Sequence, residues 1–227
     1  MQIEIEYRPS YSLAVVKLAP GETIQTEAGA MVSMSPGITL ETKAAGGLIA
    51  SLKRSVLGGE SFFMNTFRAS SGGGEITLAP TLPGDMVVRE LRDETLLVQS
   101  GSYVASSEGI NVDTTWGGAK TFFAREGWIL LKVSGTGTLL LSSYGAIHEV
   151  DLAPGQSYTV DTGHLVAFTE GVGFNVRRIG GLKSTLFSGE GLVVDLTGPG
   201  KVFMQTRSED DFLSWLIPKL PKERHRG

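Results

Sequence analysis

Few residues in the chain have types and spacing suited to chemistry. Gly180-Gly181-Leu182-Lys183-Ser184 comes nearest to a phosphate-binding loop. A Walker loop places glycine directly before Lys-[Ser/Thr], so that backbone N–H groups and the lysine close on the same phosphates. Here Leu182 separates glycine from lysine, and no alternation of strands with helices follows. A turn is the better reading. The histidines are His148, His164 and His225. A β-barrel metal site gathers several histidines with a carboxylate. Only His148 has an acidic neighbour, Glu149, and His225 lies in the terminal tail. No metal ligands, cofactor or catalytic residues are therefore assigned.

Glu60, Glu126 and Glu190 are the most interesting polar positions. Each precedes an apolar run, and each has a lysine upstream, at Lys53, Lys120 or Lys183. A carboxylate at a strand start can accept backbone N–H groups or pair with that lysine. A threefold recurrence favours such a structural role, because catalytic groups rarely come as equivalent triplets. Arg177, Arg178 and Lys183 make one basic cluster; Lys219, Lys222, Arg224 and Arg226 make another. Such clusters can meet anionic lipid, although solvated charge is the plainer explanation.

Composition removes several classes of function. Net charge is −4, so binding driven by phosphate contacts has little support and no nucleic-acid partner is expected. There is no cysteine, which excludes disulfides, thiolate metal sites and cysteine nucleophiles. No leader-like order of charged, apolar and small residues opens the chain, and no apolar run reaches the ~18 residues of a membrane span. The expectation is a soluble cytoplasmic protein. A hydrophobic content of 41% allows a sizeable core.

The elements that must position these residues are strands. Thirty glycines fall between short apolar runs, as turns between strands do. Ser12 to Leu18 reads as a strand closed by Ala19-Pro20-Gly21, where proline fixes φ and glycine accepts positive φ. Ala30 to Met34 and Ile38 to Thr42 follow as strands. Helical spacing is confined to two places, residues 47–57 and 208–217. In the second, Ser208-Glu209-Asp210-Asp211 caps a helix whose apolar face is Phe212, Trp215 and Leu216. Pro218 ends it.

The chain also repeats itself. Glu22 to Thr42 returns without a gap, 72 positions on, as Glu94 to Thr114. Leu18-Ala19-Pro20-Gly21 returns as Leu152-Ala153-Pro154-Gly155. Gly29, Gly101 and Gly163 occupy one shared position, and Glu60, Glu126 and Glu190 another. Three copies follow, at about 12–78, 84–141 and 146–206, in one compact unit ending in a helix and basic tail, 207–227. The shared glycines are expected at turns or bulges, with positive φ or tight packing.

Pro20-Gly21-Glu22, Glu27 to Val32, Leu57 to Phe67 and Gly198 to Thr206 resemble the altered-inheritance-of-mitochondria family. The resemblance covers nearly the whole chain. It implies an all-β fold of three tandem repeats, each like a subunit of the trp RNA-binding attenuation protein, and association into a ring. Mitochondrial members of that family bear on inner-membrane organisation, and no catalytic residues carry over. The expected function is a non-enzymatic oligomeric scaffold or binding protein. It pairs with itself, as a trimer, with Phe212, Trp215 and Leu216 as a contact. The alternatives are an enzyme or small-molecule sensor with a pocket between repeats, and a peripheral protein of anionic membranes.

Overall fold

The computed structural model describes residues 1–41, 62, 64–113, 130–179 and 192–221. It is mostly β-sheet, as the glycine-punctuated apolar runs predict. A first set of strands comprises β1 (Gln2–Glu6), β2 (Leu13–Leu18), β3 (Thr23–Glu27), β4 (Met31–Met34), β5 (Ile38–Glu41), β6 (Met64–Ala69) and β7 (Gly74–Leu78). A middle set comprises β8 (Met86–Gln99), β9 (Tyr103–Ser107), β10 (Ile110–Asp113) and β11 (Leu130–Ser142). A last set comprises β12 (Ile147–Leu152), β13 (Ser157–Asp161), β14 (Leu165–Thr169), β15 (Gly173–Arg178), β16 (Leu192–Thr197) and β17 (Gly200–Gln205). One α-helix follows, α1 (Glu209–Leu216), with a 3₁₀ turn at Ile217–Lys219. The helix predicted over 47–57 lies outside the described residues.

Described strand pairs are antiparallel and fall into three sheets. The first runs β1-β2-β7-β4 and the smallest β13-β16-β15. The largest runs β12-β17-β14-β8-β11-β9-β3-β6-β5, with β10 also on β11. Each set contributes one joint to its neighbour: β3 pairs with β9, and β8 pairs with β14.

The middle set departs from the expectation of uniformly short strands. β8 and β11 are single long strands where the other sets have two. The cause lies in the turn residues. At Ala19-Pro20-Gly21 and Ala153-Pro154-Gly155, proline lacks the N–H a ladder needs, and Gly21 and Gly155 take φ of +77° and +75°. The middle set has Leu91-Arg92-Asp93 there. Asp93 still takes a positive φ, 57°, but Arg92 keeps its N–H. Pairing continues past it, with one register shift at Gly135/Thr136.

A second irregularity occurs three times. β4, β9 and β14 each shift register by one residue on their partners, at Met31/Ser33, across Tyr103/Ala105 and at Leu165/Ala167. Such a bulge bends the strand and increases its twist. The core forms three clusters, around Phe67 and Ile76, around Tyr103 and Phe203, and around Phe168 and Leu196.

Candidate functional site

The ends of β3, β8 and β13 carry Glu27, Gln99 and Asp161. Each precedes the turn that holds Gly29, Gly101 or Gly163. Glu27, Gln99, Gly101 and Gly163 line a cavity of about 340 Å³. Ser142, Ser143 and Gln205, where β11 and β17 end, supply further polar groups, and Glu209 and Asp210 of α1 stand at its rim. Among the described residues no lysine or arginine lines it.

The three glycines are not equivalent in backbone. Gly29 takes φ +94° with open space around it. Gly101 and Gly163 instead lie in 3₁₀ turns without a left-handed φ. A Cβ at Gly163 would sit 2.7 Å from Ser208 Oγ, whereas one at Gly101 would meet only the flexible Gln99 side chain, at 3.2 Å. Positive φ therefore applies at Gly29 and close packing against the backbone at Gly163, while at Gly101 the near neighbour is a side chain that can give way.

Hydrogen bonds tie the walls together. Gln205 donates from Nε2 to Gly163 O at 2.9 Å and accepts the Tyr144 N–H at 2.8 Å. Asp161 accepts the Gly163 N–H at 2.8 Å. Tyr103, fully buried beneath, shares a hydrogen at 2.8 Å with Ser106 Oγ. Burial pushes the Tyr103 phenol upward, and the charge of Glu27 adds to that.

Burial also pushes the Glu27 carboxyl up to about 7. Partial desolvation at the cavity rim raises Asp210 first, and the charges of Asp161 and Asp211 add to it. The cavity can thus hold a proton near neutrality. Folded Glu27 binds that proton more tightly than unfolded Glu27 does, so its contribution is complete at acid pH and is lost as pH rises towards about 7. In Glu27→Gln, the fall in stability between pH 5 and pH 8 should shrink, and the variant should exceed the wild type at pH 8. Urea unfolding at both pH values measures this; parallel curves would show that Glu27 is not the group responsible.

Glu60, Glu126 and Glu190, with Lys53, Lys120 and Lys183, lie outside the described residues, as do the loop at 180–184 and His225. His148 is exposed on β12. His164 Nδ1 lies 2.8 Å from Gln205 O, and its Nε2 is 3.9 Å from Asp211. Among the described residues no three His, Asp or Glu side chains are placed to hold a metal. No described helix is long and apolar enough to cross a membrane. Arg177, from the first basic cluster, gives two hydrogen bonds to Asp195, at 2.5 and 3.0 Å.

The helix predicted at 208–217 forms. Ser208 Oγ accepts the Asp211 N–H at 3.3 Å, and three acids occupy the first turn. Phe212 meets Tyr144 edge-on at 6.2 Å, while Trp215 is 59% exposed. No residue of the helix is buried. So thinly packed a helix depends on its cap. Ser208→Ala should cost about 1 kcal/mol, read as a loss of helical signal before the main unfolding transition.

Sequence reasoning missed Glu27. It stands inside the repeated passage Glu22 to Thr42, but burial, which sets it apart, is a tertiary property. It also missed Asp85, whose partner is Arg8.

A family described as mitochondrial biogenesis AIM24 matches residues 3–207. The chain belongs to that family. It is 28% identical over 229 residues to an uncharacterized protein of Streptococcus pyogenes serotype M6, covering 97% of this chain and 92% of the relative. It is also similar to a Streptococcus pyogenes protein solved by X-ray crystallography. There the TM-score is 0.81 at 26% identity, over 96% of this chain and 99% of the other.

Proposed function

We propose that the chain is a non-enzymatic scaffold or binding protein that assembles with itself into a closed trimer. On this reading it is three tandem copies of one β unit, each resembling a subunit of the trp RNA-binding attenuation protein. Support for the tandem reading comes from the bulge that recurs in β4, β9 and β14. The observation that carries the assembly is the edge of β4, left uncovered among the described residues while its counterparts in the other sets are covered. β9 and β14, each covered by a strand of the preceding set, have four of five residues buried, whereas every residue of β4 is exposed. Head-to-tail association of unlike ends closes into a ring when the rotation permits. Placement in the cytoplasm goes with this reading, supported by the cysteine-free composition. Light scattering coupled to size exclusion at micromolar concentration tests it. The expected mass is three times 24.2 kDa; the mass of one chain would overturn it.

The cavity favours a second reading, a small-molecule sensor or enzyme with its pocket where the three sets meet. The specific observation is the Glu27 carboxyl, held near neutrality inside a polar cavity. Mass spectrometry of ligands retained by the native protein, compared between wild type and Glu27→Gln, separates this reading from a structural role for the acid.

A further inference from the structure

The cavity at the ends of β3, β8 and β11 contains polar groups that the fold itself does not use. Ser142 is the clearest. It lines the cavity and is only 2% exposed, and its hydroxyl has no hydrogen-bond partner among the described residues. Buried polar side chains are nearly always paired, so a hydroxyl left open towards a cavity awaits a partner from outside the chain. Its neighbours are engaged. Ser143 Oγ donates to Gly145 O at 2.7 Å, and the Gln205 amide is held at both ends.

Glu27 is the second open group. Its carboxyl makes no hydrogen bond or ion pair among the described residues. Met64 lies opposite it in the β3–β6 ladder and brings no charge. Tyr103 lies beneath, and Glu209 and Asp210 face the cavity from α1. None of these is a cation. A half-buried carboxylate with no counter-charge favours its protonated form, and a positive ligand reverses that.

The rest of the wall decides between cations. Pro80, Leu82 and Leu213 give it an apolar side, which suits hydrocarbon. Among the described residues no three His, Asp or Glu side chains converge as a metal ion requires. An anion would meet Glu27, Glu209 and Asp210 with no base to receive it. What remains is an organic cation with an aliphatic body.

We propose that this cavity binds a small aliphatic amine, its ammonium held by the Glu27 carboxylate and the Ser142 hydroxyl, and its hydrocarbon against Leu82 and Leu213. This rests on the small-molecule reading above and names its ligand class. An ammonium donates up to three hydrogen bonds and accepts none, which matches a charged acceptor beside a neutral one. Glu209 and Asp210 at the rim receive a second ammonium where the ligand is a diamine. Binding requires Glu27 ionised, whereas an alkylamine stays charged to about pH 10. Affinity should therefore rise about tenfold from pH 6 to pH 8, most of it below the Glu27 value of about 7.

Calorimetric titration of the whole chain with putrescine, butanediol and succinate varies the charge on one four-carbon frame. Putrescine should bind at pH 8 and weaken about tenfold at pH 6, and the diol and diacid should not bind. Glu27→Gln should weaken putrescine by about tenfold or more and remove the pH dependence; Ser142→Ala should weaken it about threefold. Urea unfolding at pH 8, where Glu27→Gln is expected to exceed the wild type, separates a lost ligand from a lost fold. Equal putrescine affinity in the wild type and in folded Glu27→Gln would overturn the proposal. So would a preference for the diol or the diacid, or displacement of putrescine by equimolar magnesium chloride, and each of these leaves the small-molecule reading standing. No heat from any of the three would overturn it too. The small-molecule reading falls as well only if native mass spectrometry finds no retained ligand.

Discussion

Asp85→Ala should lower the stability of the fold by about 3 kcal/mol. Asp85 is buried between the first and middle sets, with its side chain 8% exposed. Its carboxylate accepts Arg8 Nε at 2.7 Å and Arg8 Nη2 at 2.9 Å. It also accepts the Met86 N–H at 2.8 Å and Ser12 Oγ at 3.3 Å. Alanine leaves the Ser12 and Met86 donors unsatisfied where water does not reach, and each such loss costs ~1–3 kcal/mol. Arg8 is half exposed and can rehydrate, so its share is smaller. Burial alone would raise the Asp85 carboxyl, but the Arg8 guanidinium, the Met86 amide and the Ser12 hydroxyl together hold it below its ordinary value of 3.8. A lowered carboxylate stabilises the fold at pH above that value and ceases to as pH falls below it. The gap between wild type and variant should therefore narrow in acid. Urea unfolding at pH 7 and pH 3 checks both statements, and a gap that widens in acid would contradict them.

Phe203→Ala should cost about 4 kcal/mol, and Phe203→Leu about 1.5 kcal/mol. Phe203 is fully buried in the middle cluster, between Ala167 of β14 and Glu149 of β12 in the ladder. The Arg89 guanidinium lies 5.1 Å from the ring centroid. Arg89 Nε is buried with no hydrogen-bond partner among the described residues, so the ring face is a favourable contact beside it. Alanine opens a cavity and removes the cation–π contact as well. Leucine refills most of the volume without restoring the π-face. Denaturant midpoints of the two variants measure the difference. Equal costs would show that the ring does nothing for Arg89.

Much of the fold is legible because local chemistry determines it. Ala19-Pro20-Gly21 and Ala153-Pro154-Gly155 announce their turns through proline and glycine alone. Ser208 with three acids behind it announces α1. The continuity of β8 was hidden by the correspondence that revealed the turns. Leu91-Arg92-Asp93 falls in their place, and only the retained N–H of Arg92 distinguishes it. The candidate site is less legible. Glu27 is one of many glutamates until the ends of β3, β8 and β11 come together around it. Asp85 and Arg8 are 77 residues apart, beyond any local pattern. Glu60, Glu126 and Glu190 stand out by recurrence, which marks shared architecture more readily than chemistry.

The two long strands of the middle set have a mechanical consequence. β8 and β11 pair with each other from Met86↔Ser142 to Gln99↔Leu130, and each end of that ribbon belongs to a different neighbour. The first set pairs onto β9, which is carried by the β11 end nearest Ser142. The last set pairs onto the β8 end nearest Gln99. A twisted ribbon of this kind resists bending far more than a peptide linker does, so it acts as a beam that sets the angle between the outer sets. Curvature is then a built-in property of the chain. In the self-assembly proposed above, the number of chains that complete a circle follows from that angle, through geometry, and not from how tightly any two chains hold one another.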